Sequence, residues 1–207
     1  MPRVKQRTAD LRDRVLAVAV DVVCADGVSG LTTRRVAEQA GTSVPAIYEL
    51  FADKAGLVRQ VYFEGFRRLG RAMAVVADTG DPVADLQALI PVFRQFCLDY
   101  PALARVMFSR PFEDFAPGPT ELAQAPTVRD VLLSRVRRCV DTGQLRGRPD
   151  DIAHVLLALA QGLAIQEAGG WLGSTGESVD RRWSVGVASV IRGFSAQRPN
   201  SIVSEIH

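Results

Sequence analysis

The stretch TRRVAEQAGTSVPAIY, Thr33 to Tyr48, decides the fold. Val36, Ala37 and Ala40 fall on one helical face, and Val44, Ile47 and Tyr48 on another, at the i, i+3, i+4 spacing of buried positions. Gly41 separates the two faces, so the stretch reads as two short helices joined by a tight turn. Helices this close need a small residue where they cross, a turn residue that tolerates positive φ, and an apolar anchor facing back. Ala37, Gly41 and Ile47 supply these at the first, fifth and eleventh places of one window. Ser43 suits an N-cap, and Pro45 sits in the first turn, where its missing N–H costs nothing. The spacing therefore predicts a helix-turn-helix.

Working outward, Leu11, Val15, Val18, Ala19, Val22 and Val23 predict a first helix from about Thr8 to Ala25, stopping at Asp26-Gly27 and backing the two motif helices. Thr32 caps the second helix and Asp53 the fourth. The fourth runs to about Val76 through Leu57, Val58, Val61, Tyr62, Phe66, Leu69 and Met73. Arg3, Lys5 and Arg7 form a basic arm just ahead of the first helix, in reach of phosphates or a minor groove.

The longer stretch LTTRRVAEQAGTSVPAIYELFADKAGLV, Leu31 to Val58, resembles the DNA-binding signature of tetracycline-repressor-type (TetR) regulators. It has a Thr pair opening the second helix, a Gly turn, a Tyr in the third helix, then Phe, a polar residue and Lys opening the fourth. Two positions depart from that pattern: Leu50 stands where the family usually has His, and Glu49 where a polar or aromatic residue often lies near DNA. The resemblance implies that Thr33 and Lys54 hold phosphates, Tyr48 a phosphate or base, and Arg34 a base edge. Val44, Pro45 and Ala46 would make apolar contacts such as those to thymine methyls.

The 207 residues suit a small domain plus a larger one, and 47% hydrophobic residues suffice for packed cores. The longest apolar stretch, Ile152 to Ile165, is interrupted by His154, Gln161 and Gly162 and falls short of the roughly 20 residues of a membrane span. Met1 to Arg14 is polar, unlike a signal peptide, and the cytoplasm is the expected compartment with no membrane partner. Cys24, Cys97 and Cys139 are far apart with no nearby His, which suggests buried thiols. A net charge of +2 does not by itself announce a nucleic-acid binder.

Beyond Gly80-Asp81-Pro82 every patterned segment is helical. The expected helices are Asp81 to Tyr100 with Pro91 inside it, Ala102 to Ser109, Pro126 to Val140, Ile152 to Trp171 and Val179 to Phe194. A Pro- and Phe-rich loop covers Pro111 to Pro119. Phe66, Phe93, Phe96, Met107 and Phe108 concentrate between residues 60 and 115 together with Phe63, Phe112 and Phe115. Any one of them is ordinary core, but Pro91 frees a carbonyl and bends its helix, leaving room beside it. An apolar effector pocket there would draw polar anchors from Gln95, Tyr100, Gln161 and Gln166. The region resembles one branch of TetR C-terminal domains, in which a Tyr-Pro pair precedes a short Met/Phe helix. Where that branch carries His-Gly in its penultimate long helix, this chain has Gln161-Gly162.

His154 and His207 are the only histidines, which makes a His-based triad improbable and excludes a His-rich metal site. Glu113-Asp114 stands alone as an acidic pair, and neither a phosphate loop nor a nucleophile elbow is present. No catalytic residue, metal or cofactor is expected. Ile152, Val155, Leu156, Leu159 and Leu163 on one late helix, and Trp183, Val187, Val190, Ile191 and Phe194 on the last, make faces broad for a one-sided core. Leu156, Leu159, Trp183, Val187 and Ile191 are therefore expected in a homodimer interface, as the resemblance also implies.

The expectation is an all-α chain, residues 1–60 a three-helix helix-turn-helix domain and 61–207 a helical effector-binding and dimerisation domain. Its function would be that of a ligand-responsive regulator, a repressor released from a palindromic double-stranded operator by a small, largely apolar effector. A rival reading is an all-helical small-molecule-binding or enzymatic domain with an incidental helix-turn-helix.

Overall fold

A computed structural model describes residues 2–108 and 128–195, with side chains from residue 8 onward. It is helical throughout and has no strand among the described residues, only a single bridge pairing Leu145 with Ser195. Contacts divide the chain into two units, Met1–Ala74 with Val92–Val128, and Val75–Pro91 with Arg129–His207.

In the first unit α1 spans Pro2–Gly30, α2 Thr33–Ala40, α3 Val44–Phe51 and α4 Lys54–Ala74. α1 starts earlier than its pattern suggests, so Arg3, Lys5 and Arg7 belong to the helix and not to an arm ahead of it. Its helical path breaks at Gly27 (φ 70°, ψ −174°) before a last turn to Gly30. Val15, Ala19, Val20 and Val23 are fully buried, as are Leu31 and Val36, where α1 packs against α2.

The predicted caps all form. Thr32 Oγ1 accepts from Arg35 N–H at 3.2 Å, Ser43 Oγ from Ala46 N–H at 3.3 Å, and Asp53 Oδ1 from Gly56 N–H at 2.6 Å. Gly41 adopts φ 62°, ψ 44°, the left-handed geometry that closes the turn, and Thr42 N–H returns to Ala37 O at 2.9 Å. Two arginines of α1 finish the motif: Arg14 Nε donates to Ala40 O at 3.0 Å and Arg12 to Leu50 O at 2.7 Å. Each places a cation on the carbonyl end of a motif helix, where dipole and hydrogen bond act together.

Between α3 and α4, Ala52 has φ 67° and ψ −54°, and Asp53 N–H donates to Phe51 O at 2.9 Å. This is a γ-turn with positive φ, a strained conformation for a residue with a side chain. α7, Pro101–Phe108, completes the unit by packing on α1 and α4 with Leu103, Ala104, Val106 and Met107 inward.

The expected Asp81–Tyr100 helix is two helices, α5 Pro82–Gln87 and α6 Leu89–Asp99, with the break at Ala88. Pro91 has no N–H to offer Gln87 O, so the interruption falls in the turn ahead of it. α6 starts in the second unit and continues into the first. The second unit adds α8 Val128–Asp141, α9 Pro149–Ala168 and α10 Gly176–Phe194. α9 packs on α10, Trp183 Nε1 donates to Glu167 Oε2 at 2.7 Å, and Arg146 N–H donates to Phe194 O at 2.7 Å. The expected 111–119 loop, with Phe112, Glu113, Asp114 and Phe115, lies outside the described residues.

Inside this unit Asp85, only 1% exposed, accepts from Thr79 Oγ1 at 2.6 Å and Thr79 N–H at 3.0 Å. Arg138 and Arg135 stand 3.4 and 3.7 Å from its other oxygen, and Arg135 also donates to Val76 O at 2.6 Å. The Thr79 hydroxyl, the Thr79 N–H, Asp78 and Arg135 together hold the Asp85 carboxyl down at about 2. A buried carboxylate is tolerated here because every side of it is matched.

Candidate DNA-reading face and aromatic cluster

The outward surface of α3 follows from what its inner surface buries. Ile47 and Phe51 face the core, so Pro45, Tyr48 and Glu49 point away from it, Tyr48 being 46% exposed. Val44, Ala46 and Thr33 are half-buried at the edges of that surface, and Arg34 and Lys54 are exposed. Arg34 Nε is paired with Glu38 at 3.1 Å on the same helix, so any base or phosphate contact would have to exchange that exposed partner. Arg35 is tied to Asp26 at 2.5 Å and stiffens the α1–α2 corner. This face offers α3 with few polar groups, Tyr48 and Glu49, flanked by cations at Arg34 and Lys54. Such a surface suits phosphate anchoring at its margins and apolar contact at its centre.

The arginine anchors Arg12 and Arg14 were missed by the sequence reading. Their only sequence signal is polarity beside an apolar stripe, which does not identify an acceptor 38 or 26 residues away.

Aromatic rings also gather in the first unit. Phe93 stacks on Phe108 at 5.5 Å between centroids, Phe108 meets Phe66 edge-on at 6.3 Å, and Phe66 lies 4.9 Å from Tyr62. Phe96 pairs with Tyr100 at 5.2 Å. Phe93, Phe96 and Met107 are buried, Phe66 and Phe108 half-buried, and Tyr100 lies at the surface. Burial pushes the Tyr62 hydroxyl above its ordinary pKa. Six of the seven candidate effector residues thus belong to one unit, while Gln161 lies half-buried on α9 in the other. Gln95 is engaged with Asp99 on an exposed face at 2.7 Å.

On α9 and α10, Leu156, Trp183, Val187 and Ile191 are buried within the chain's own packing, and Leu159 is half-buried. The apolar residues these helices expose are Val155, Ile165 and Val185, and His154 is exposed beside them. Cys97 and Cys139 are buried and Cys24 is intermediate, all three free. Cys139 Sγ donates to Pro82 O at 3.2 Å, and burial raises its thiol pKa. Among the described residues no helix is long and apolar enough to cross a membrane, and no group of three or more His, Cys, Asp or Glu could hold a metal ion.

Comparisons with known proteins agree with this geometry. Residues 15–61 match the N-terminal domain of bacterial regulatory proteins of the tetR family, and residues 86–190 match a tetracyclin repressor-like C-terminal domain. No curated protein matches the chain. A solved protein of unknown function from Rhodococcus sp. RHA1 is 28% identical, with 90% of this chain and 96% of that chain covered and a TM-score of 0.74. A TetR variant from Acinetobacter baumannii AYE in complex with minocycline is 19% identical, over 86% of this chain and 93% of that one, TM-score 0.63. RolR in complex with resorcinol is 14% identical, over 93% and 91%, TM-score 0.67. The last two share the fold. With both domain models matched in order along its length, the chain belongs to the tetR family of bacterial regulatory proteins and is a ligand-responsive, DNA-binding transcriptional regulator.

Proposed function

We propose that the protein is a homodimeric repressor that leaves a palindromic operator when a small, largely apolar effector binds among its aromatic residues. Residues 1–60 would read DNA, and the rest would sense and dimerise. The observation that carries this reading is α3 itself: capped at Ser43, pinned inward by Ile47 and at its end by Arg12, it presents Pro45 and Tyr48 outward as a rigid reading surface. Thr33 and Lys54 would take phosphates, Arg34 a base edge, and Val44 and Ala46 thymine methyls. Two such heads would meet half-sites about 34 Å apart or at a related spacing. Phe66, Phe93, Phe96, Tyr100, Met107 and Phe108 would contact the effector. That TetR and RolR were solved with minocycline and resorcinol supports an aromatic ligand class. The dimer contact would use the outward side of α9 and α10, where Val155, Leu159, Ile165 and Val185 leave apolar surface uncovered.

Gel shifts on DNA flanking the protein's own gene, run across a salt series, test the reading. Lys54→Ala should weaken binding to all sequences and lower the slope of log K against log salt by about one, because a phosphate contact releases a counterion but reads no base. Absence of any salt-dependent shift in the parent protein would instead favour a carrier or an enzyme.

A further inference from the structure

The outward side of α9 is uncharged for about four turns. Between Asp151 and Glu167 the chain has no Asp, Glu, Lys or Arg, although His154, Val155, Ala158, Gly162, Ile165 and Gln166 are all exposed. A helix face that stays in water normally carries charge. At the end of this stripe Trp171 is 81% exposed, and a Cβ on Gly169 would lie 2.5 Å from its Cδ1, so the indole stands over the stripe. A bare Trp beside apolar surface is the composition of a protein contact.

The exposed residues pair about one level. Ala160 faces the core, and on the opposite side Ala158 and Gly162 flank its height, with Val155 and Ile165 next beyond them and then His154 and Gln166. Small matches small, branched apolar matches branched apolar, and one hydrogen-bonding side chain matches another. A Cβ at Gly162 would meet nothing within 4 Å, so the middle of the stripe is open to close approach. In a two-fold contact residue i meets residue j of the second copy and j meets i, so a face that reads alike in both directions fits its own copy. Charge favours the same arrangement. Trp183 bonded to Glu167 sets α10 along α9 so that exposed Arg182 lies at the C-terminal end of the stripe, donating to Leu172 O. Exposed Asp151 lies at the N-terminal end, with a loose 3.8 Å ion pair to Arg148. Turning a second copy end for end sets each Asp151 beside the partner's Arg182.

We propose that a second copy docks on this stripe with its α9 antiparallel and the two-fold axis level with Ala160, Trp171 closing over the partner's Pro149 turn. Val155 then lies beside the partner's Ile165, and Ala158 beside the partner's Gly162. Trp171 and Pro149 lie equally far from Ala160 in sequence, about 16 Å along the helix direction. This docking rests on the homodimer reading above and adds its register and its anchor.

Disulfide trapping of the full-length protein with a mild oxidant reads the register. Val155→Cys with Ile165→Cys should give covalent dimers. Neither single variant should exceed the parent, because like positions of the two copies lie about 15 Å apart and a disulfide needs Cα atoms within about 7 Å. Ala158→Cys with Gly162→Cys should cross-link as well, which keeps the test open if the first pair misfolds. Trp171→Ala should raise the dimer dissociation constant at least tenfold in sedimentation with far-UV circular dichroism unchanged. A monomeric parent overturns the homodimer reading and this docking together. A dimeric parent in which neither double variant cross-links, or in which Val155→Cys alone cross-links as readily as the double, overturns the register while leaving the homodimer standing. A Trp171→Ala dimer as tight as the parent overturns the anchor.

Discussion

At Gly65 the side chains of α7 lie against the backbone of α4, and replacing it gives a direct measure of that packing. A Cβ built at Gly65 would lie 2.5 Å from Met107 Sδ, 2.8 Å from Met107 Cγ and 3.3 Å from Leu103 Cδ1. Because Cγ is near the root of the side chain and Met107 is 3% exposed, the clash cannot be relieved by swinging a free end into solvent. Overpacking of this kind costs about 1–3 kcal/mol. Against it stands the helix preference of Ala over Gly, about 1 kcal/mol. Gly65→Ala should therefore destabilise by about 0–2 kcal/mol. Met107→Ala alone should cost about 2–5 kcal/mol. In the double variant the new methyl enters the vacated space, and only the helix gain is left. The coupling energy between the two changes should thus be about 1–3 kcal/mol in the stabilising direction. Urea unfolding should be followed by far-UV circular dichroism, because both tryptophans, Trp171 and Trp183, lie in the other unit. If the two changes add to within about 0.5 kcal/mol, the close approach of α7 to α4 is wrong.

Two further outcomes follow from the second unit. Asp85, held down to about 2 chiefly by the Thr79 hydroxyl, contributes stability that is complete above its ordinary value of 3.8 and is lost as pH falls through about 2. Acid unfolding of the parent should steepen in that window and Asp85→Asn should flatten it, whereas identical curves would mean the carboxylate is matched equally in the unfolded chain. Val155→Glu with Val185→Glu should yield folded monomers in sedimentation if the outward sides of α9 and α10 meet a second copy, and an intact dimer would place the contact elsewhere.

What the sequence disclosed and what it hid divide by the range of the interactions. The caps at Thr32, Ser43 and Asp53 and the turn at Gly41 each depend on residues within three or four positions, so spacing alone was enough to find them. The end of α3 is different. Arg12 reaches Leu50 O across 38 residues, and the positive φ of Ala52 has no glycine to announce it. Asp85 looks like an ordinary first-turn acid of α5, and only the fold brings Arg135 and Arg138 against it. The wide apolar faces of α9 and α10 suggest surfaces shared between core and partner. Trp183, Val187 and Ile191 are consumed by the chain's own packing, because periodicity shows how much of a helix is apolar but not which neighbour covers it. Pro91 marked a disturbance correctly, yet the full break at Ala88 depends on how the freed turn packs.

The placement of the aromatic residues also constrains how an effector could be felt at DNA. Phe93 on α6, Phe108 on α7 and Phe66 on α4 form a ring-to-ring series inside the unit that carries the reading face. A ligand that moved Phe108 would press on Phe66, and therefore on α4, without an intervening loop to absorb the motion. Lys54 and Phe66 lie on one uninterrupted helix, about 18 Å apart at 1.5 Å per residue. A tilt of about 5° pivoting at Phe66 would then carry Lys54 by about 1.5 Å, enough to spoil a phosphate hydrogen bond. Since α1 anchors the ends of both motif helices through Arg14 and Arg12, α2 and α3 should resist following α4. The movement would concentrate at the Ala52 turn, the strained link between α3 and α4. Loss of one or two phosphate contacts supplies a coupling of about 1–3 kcal/mol, the usual size of an allosteric effect.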